Sequence, residues 1–136
     1  MRRKVTDRDG GSSAIELVLV TPVLIALVFA VVQAALLWNA QHAAVAAAQQ
    51  GARLARTAVV TGGTDDQVKA ATAAYLHSVG ASLLDTPTVT VDRIGGWATV
   101  TVTAHAVSLL PGARLTVHGT SRGPVEAFTP DVSGTG

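Results

Sequence analysis

A single carboxylate stands at the head of a long apolar stretch, and its chemistry is the first that the sequence singles out. Glu16 precedes a run that continues to Trp38, and residues 17–32 of this run carry no charged or amide side chain. A carboxylate at a bilayer boundary is costly unless it is paired, so a functional role is the usual explanation. The simpler explanation is structural, because Ser13 and Glu16 form a capping-box pattern and the helix dipole favours an acid in the first turn. The two roles are compatible.

The peptide bond between Gly11 and Ser12 is a candidate cleavage site. Gly11 places no side chain on the acyl side of this bond, so a protease at the membrane surface would accept it easily. Cleavage would make Ser12 the first residue of the product and Glu16 the fifth. The new ammonium group of Ser12 would then pair with Glu16 of a neighbouring helix at low dielectric, where the attraction is stronger than in water. Such a pair would set the axial register between helices.

Elsewhere the sequence shows no catalytic constellation. It contains no G-x-S-x-G elbow, no phosphate-binding glycine loop and no H-E-x-x-H pattern. We therefore expect no enzyme, no small-molecule substrate, no cofactor and no metal. The dispersed histidines are expected at a surface or an interface, although the last two fall on predicted strands that can approach each other. They are His42, His77, His105 and His118.

Composition excludes further classes of function. The chain has 136 residues and a formal net charge of +1, without a basic stripe that is interleaved with aromatic residues, so nucleic-acid binding has little support. Cysteine is absent, which excludes disulfides and thiolate metal sites. Aromatic residues make up only 4% of the chain, so a large aromatic-lined pocket is not expected. The length fits one small domain plus a membrane segment.

The apolar run predicts a transmembrane helix. A hydrocarbon core of ~30 Å requires about 20 mostly apolar residues in a helix, and the segment 15–38 meets this length. The basic leader, residues 1–11, predicts a cytoplasmic N-terminus with membrane lipid around the helix, although Arg53 and Arg56 on the far side weaken this bias. Pro22 removes one helical hydrogen bond, so we expect a kink there.

The same helix is expected to continue well past the membrane. The alanine-rich sequence after Trp38 contains no proline before Thr61, where a Gly-Gly pair ends the helix. Within it, Ala47, Gly51 and Ala55 have the small-xxx-small spacing that permits close helix packing. An ordinary alanine-rich sequence is an equally good explanation of this spacing. The predicted segments are thus a leader, a membrane and assembly helix, and an outer module, at residues 1–11, 12–61 and 62–136.

The outer module is predicted to contain one helix and a three-stranded antiparallel sheet, which makes the fold class α+β. The helix should begin at Thr64 or Asp65 and end near Gly80. Two strands with alternating apolar residues flank Gly95-Gly96, a pair typical of a primed hairpin turn that would place Val91 opposite Val100 and Val89 opposite Val102. The predicted strands are Thr88–Ile94, Trp97–Val107 and Arg114–Ser121, followed by a frayed tail at Phe128–Gly136.

The N-terminal residues resemble the TadE-like family, pilin-like components of tight-adherence (Tad) pili that are related to type IV pilins. The resemblance rests on GSSAIE at Gly11–Glu16, on the apolar run with Pro22, and on AQQGAR at Ala48–Arg53. It covers residues 10–56. One departure is Gln49, where a basic residue is expected in many relatives. After residue 62 no family-specific pattern is present.

The resemblance implies how such a chain is processed and used. In the family, a prepilin peptidase in the membrane cuts after the glycine, and the glutamate at the fifth position serves processing or assembly. Carried over, these roles fall on Gly11, Ser12 and Glu16. The resemblance also implies a minor pilin-like subunit in the cytoplasmic membrane. Its partners would be other pilin-like subunits and the Tad assembly platform, with the outer module outside and incorporation into an extracellular pilus as a further step.

Two other functions are compatible with the sequence. The chain would be a permanent single-pass anchor of a secretion complex if its N-terminus were never cut. It would be a secreted domain if the apolar run were a conventional signal peptide cleaved in the alanine-rich stretch at residues 40–48. Glu16 and Pro22 interrupt the apolar run, and this disfavours the signal peptide.

Overall fold

The computed structural model describes residues 10–80, 83–109 and 112–125, with side chains from Ala14 onward. Residues 1–9 of the predicted leader and the tail Phe128–Gly136 lie outside the described residues. The elements are α1 (Gly10–Thr61), α2 (Asp65–Gly80), β1 (Leu84–Ile94), β2 (Trp97–Ala106) and β3 (Leu115–Pro124). This arrangement confirms the predicted α+β class and the single three-stranded antiparallel sheet.

The chain divides into two compact units, Met1–Ala35 and Leu36–Gly136, and α1 contributes to both. The second unit therefore contains the second half of α1 as well as α2 and the sheet. We call it the outer unit.

Helix α1 begins at Gly10, before the predicted start at Ser12 or Ser13. Ser13 therefore lies inside the helix, and the first turn contains no acidic residue, so the predicted placement of Glu16 in that turn is wrong. A serine favours a helix start but does not prevent the helix from extending further toward the N-terminus. The side chain of Ser13 lies outside the described part of the chain.

A capping box is present at the start of α2. The N–H of Gln67 donates to the Thr64 hydroxyl oxygen at 3.3 Å, and the N–H of Thr64 donates to the Gln67 side-chain oxygen at 3.1 Å. These reciprocal bonds satisfy two backbone donors and fix the helix start where it was predicted. The preceding helix ends at Thr61, also as predicted, and the N–H of Gly63 then donates to the Ala58 carbonyl at 2.8 Å.

The hairpin of β1 and β2 has the predicted register. Val91 pairs with Val100, and Val89 pairs with Val102. The turn between them places Gly95 and Gly96 at φ values of 60° and 76°, a conformation that glycine adopts without steric cost. Strand β1 starts earlier than predicted, at Leu84, because pairing resumes on the far side of an irregularity between Asp85 and Thr88.

Strand β3 continues to Pro124, past its predicted end at Ser121. The hydrogen bonds between β3 and β2 show why proline is tolerated at position 124. The N–H of Val125 donates to the Gly96 carbonyl at 2.7 Å, so the alternating bond pattern turns the backbone nitrogen of Pro124 toward the free edge of the strand. The missing N–H therefore removes no ladder hydrogen bond.

Small residues form the surface of α1 that packs in the outer unit. This alanine face consists of buried residues with little or no side chain, while the larger Val59 near the end of the helix is 46% exposed. Below it lie the buried alanines and valines of β2. The alanine face comprises Ala40, Ala43, Ala44, Ala47, Ala48, Gly51, Ala52, Ala55 and Ala58.

At one point the helix and the sheet meet backbone to backbone. A Cβ atom at Gly119 of β3 would overlap the carbonyl group of Ala44 and would lie 2.6 Å from the nitrogen of Val45. Backbone atoms of a packed helix cannot move aside as a flexible side chain can. Only glycine therefore permits this approach, and α1 rests on β3 without a side chain between them.

We predict that Gly119→Ala strongly destabilises the outer unit, whereas Gly123→Ala on the same face of β3 does not. A Cβ atom at Gly123 would lie 3.0 Å from Cδ of Arg56, a long side chain that can shift. Overpacking against backbone should lower the free energy of unfolding by about 3 kcal/mol for the first variant, against less than about 1 kcal/mol for the second.

Denaturant unfolding of the full chain in detergent, followed by circular dichroism, measures both values. Equal stabilities of the two variants would show that the helix does not approach β3 this closely.

Candidate membrane and assembly site

The first unit presents a bare apolar helix surface. Every residue from Ala14 to Val32 is exposed within the described structure. The helix is long and apolar enough to cross a membrane, and its most apolar window has a mean hydropathy of 2.8 with none of that window buried. Because this surface has no protein cover, it does not belong to a folded core. Lipid or another apolar helix is the environment that suits it.

Glu16 is exposed at the head of this surface. Between residues 10 and 52 it is the only Asp, Glu, Lys or Arg in the sequence. No ion pair or hydrogen bond joins its carboxylate to any side chain that the structure describes. The carboxylate therefore lacks a partner within the described chain, although an apolar surface makes an unpaired charge costly.

Pro22 lies inside α1, and the helix continues through it. The proline leaves the carbonyl of Val18 without its usual donor. One residue earlier, the hydroxyl of Thr21 donates to the Leu17 carbonyl at 2.6 Å. Hydroxyl bonds of this kind help a membrane helix to tolerate proline. The kink predicted at Pro22 stays a prediction.

The candidate cleavage residues lie in the first turns of α1. The backbones of Gly11 and Ser12 are helical, and the side chain of Ser12 lies outside the described part of the structure. Two consecutive glycines, Gly10 and Gly11, lie on the N-terminal side of the candidate cleavage bond between Gly11 and Ser12. Each glycine lowers helix stability by about 1 kcal/mol relative to alanine, so this end of the helix opens at low cost.

Ala47, Gly51 and Ala55 are all buried inside the outer unit. A Cβ atom at Gly51 would lie 2.6 Å from the Thr72 hydroxyl of α2 and 2.9 Å from Cγ1 of Val100 in β2. The small-residue spacing thus brings α1 against elements of its own chain. This surface is already covered before any second subunit is present.

The four histidines lie on four different elements of the structure. The ring centroid of His42 lies 5.1 Å from that of Trp38 on α1, with the two rings tilted by 58°, and His77 lies in the last turn of α2. His105 and His118 lie on adjacent strands, on the face of the sheet that points away from α1. We call this surface the open face. The described residues contain no group of three or more His, Asp or Glu side chains arranged to hold a metal ion.

Two contacts that fasten α1 to the sheet were not predicted from the sequence. The Gln41 side-chain nitrogen donates to the His118 carbonyl at 2.7 Å, and the His118 N–H donates to the Gln41 side-chain oxygen at 3.4 Å. On the other side, a guanidinium nitrogen of Arg93 donates to the Ala55 carbonyl at 3.2 Å, while another lies 2.6 Å from Asp65. Both contacts join residues distant in sequence, and no local pattern signals them.

Comparison with known proteins finds a similarity in the N-terminal part of the chain. Residues 11–53 match a family model described as TadE-like protein. The match begins at Gly11 and contains Glu16, the bare apolar surface and part of the alanine face. It does not reach α2 or the sheet. Neither a curated protein nor a solved structure matches the chain.

Proposed function

We propose that this chain is a minor pilin-like subunit, because residues 11–53 match a family model described as TadE-like protein and the family comprises pilin-like components associated with Tad pili. It inserts as a single-pass protein in the cytoplasmic membrane with its N-terminus inside. A prepilin peptidase trims it after Gly11, and the product joins other pilin-like subunits and the Tad assembly platform. It acts through helix packing and contact with partners rather than through catalysis.

The contrast between the two parts of α1 carries this proposal. The surface at residues 14–32 is apolar and exposed, whereas the alanine face is buried against the sheet and α2. A helix that must bind lipid first and other subunits later requires an apolar surface that its own domain leaves uncovered. Residues 14–32 supply that surface.

Processing after Gly11 would change the electrostatics at the head of the helix. The new α-amino group of Ser12 is a cation four residues before Glu16, one helical turn away. In a stack of helices, this ammonium pairs with Glu16 of a neighbour in a medium of low dielectric. The pair satisfies a carboxylate that has no partner in its own described chain. It also fixes the height of one helix against the next.

The mass of the chain isolated from membranes and from sheared fibres tests the processing step. We expect a product that begins at Ser12. Gly11→Leu should block cleavage by placing a bulky side chain next to the cut bond, whereas Gly10→Leu is the matched control and should be processed.

An intact Met1 in the wild-type chain would instead indicate a permanent anchor. A product that starts near Ala44 would indicate a secreted domain behind a signal peptide.

Replacement of the carboxylate tests its role in assembly. Glu16→Ala should insert into the membrane, because the change makes the helix more apolar, but should reduce assembled pili by tenfold or more. Glu16→Asp keeps the charge and should restore part of the assembly. Asp92→Ala removes an exposed carboxylate in the outer unit and serves as the control.

Immunoblots of the membrane fraction and counts of sheared fibres measure the two steps separately. Normal piliation in Glu16→Ala would remove the assembly role of this residue.

A further inference from the structure

Two imidazole rings share the open face of the sheet at neighbouring positions. In the pairing of β2 with β3, Thr103 lies opposite His118, and His105 lies opposite Thr116. The two histidines are therefore diagonal neighbours, one on each strand. Diagonal neighbours in an antiparallel sheet have their backbones about 7–8 Å apart, a separation that long side chains can bridge.

Both rings are held in the same way. Nδ1 of His118 lies 3.2 Å from the Thr103 hydroxyl, and Nδ1 of His105 lies 3.3 Å from the Thr116 hydroxyl. Each ring thus leans across the gap between the two strands toward the threonine opposite. Among the described residues, neither Nε2 atom has a hydrogen-bond partner.

This arrangement prepares Nε2 to bind a ligand. When Nδ1–H donates to a hydroxyl, the lone pair of the neutral imidazole is on Nε2. A hydrogen bond from the second ring nitrogen is also the usual support of a metal-binding histidine, because it fixes the tautomer and the ring orientation. Both histidines have a threonine hydroxyl within hydrogen-bond distance of Nδ1 that can give such a support.

We propose that His105 and His118 together bind a divalent transition metal ion, of the zinc or copper type, through their Nε2 atoms. Imidazole nitrogen is a preferred ligand of both ions, at a metal–nitrogen distance of about 2.0–2.1 Å for zinc. Two such bonds require the Nε2 atoms to lie about 3.3 Å apart in a tetrahedral site, so binding of the ion must draw the two Nε2 atoms together.

The site would have two ligands from the described chain, which leaves open coordination positions for water or for a side chain of a bound partner. Asp85 lies opposite His105 on β1 and is the carboxylate nearest in the strand register. The proposed site departs from the sequence-based expectation of surface histidines without a metal. The sequence placed the two histidines on strands that can approach each other, and the pairing of β2 with β3 makes them diagonal neighbours.

Titration of the full chain with Zn²⁺ in detergent tests the proposal, provided that any purification tag lacks histidine. We expect saturable binding of one ion per chain. His105→Gln and His118→Gln should each weaken binding by tenfold or more, because a single imidazole remains. His77→Gln on α2 is the matched control and should leave the affinity unchanged. All three positions are exposed, so circular dichroism should show an unchanged fold.

The hyperfine spectrum of bound Cu²⁺ supplies a second measurement, the number of imidazoles bound to the ion. A purely structural effect of the substitutions would not change this number. It should report two coordinated imidazoles in the parent chain and one in either variant. Thr103→Val should weaken Zn²⁺ binding severalfold while both imidazoles stay coordinated, because only the support of the His118 ring is lost. Absence of saturable Zn²⁺ binding, or equal affinity in the parent chain and the His105 and His118 variants, would overturn the proposal.

Discussion

The contact between the backbone of α1 and the backbone of β3 is the constraint on which the outer unit depends. Gly119 lies against the carbonyl group of Ala44, with no side chain between helix and sheet. Around this point the buried residues of the helix are alanine and glycine, and β2 presents buried alanine and valine. The core is thin, so close approach rather than large side chains supplies its dispersion contacts. Gln41 and Arg93 then fasten the helix to β3 and β1 through hydrogen bonds.

This constraint assigns different roles to different stretches of one helix. The alanine face is used within the chain, and small-residue spacing at Gly51 therefore serves intramolecular packing against Thr72 and Val100. The stretch at residues 14–32 has large apolar side chains and no cover. It also has a single acid at its head. The proposed function requires such an uncovered apolar surface, because the proposed subunit contacts lipid first and other helices later.

Local patterns in the sequence predicted the elements, and long-range contacts explain what they missed. The Gly95-Gly96 turn and the alternation around it gave the correct register of β1 and β2 because both signals are local. Thr64 gave the start of α2 for the same reason. Gly119 gave no such signal, since a glycine in a strand usually indicates a weak point, and its role depends on a helix 75 residues earlier, at Ala44. The diagonal histidines likewise follow from the pairing of β2 with β3.

The central claim is that residues 14–32 of α1 contact other subunits while the alanine face packs within its own chain. Single-cysteine labelling of α1 tests it most directly, and the natural chain contains no cysteine that would interfere. Cysteine is introduced singly at Val18, Ile25, Ala47 or Ala55, and each chain is probed for disulfide links between subunits in piliated cells and for maleimide labelling in detergent. The account predicts links between subunits at Val18 or Ile25, and protection from maleimide at Ala47 and Ala55. Rapid labelling and links between subunits at Ala47 and Ala55, with none at Val18 and Ile25, would contradict it.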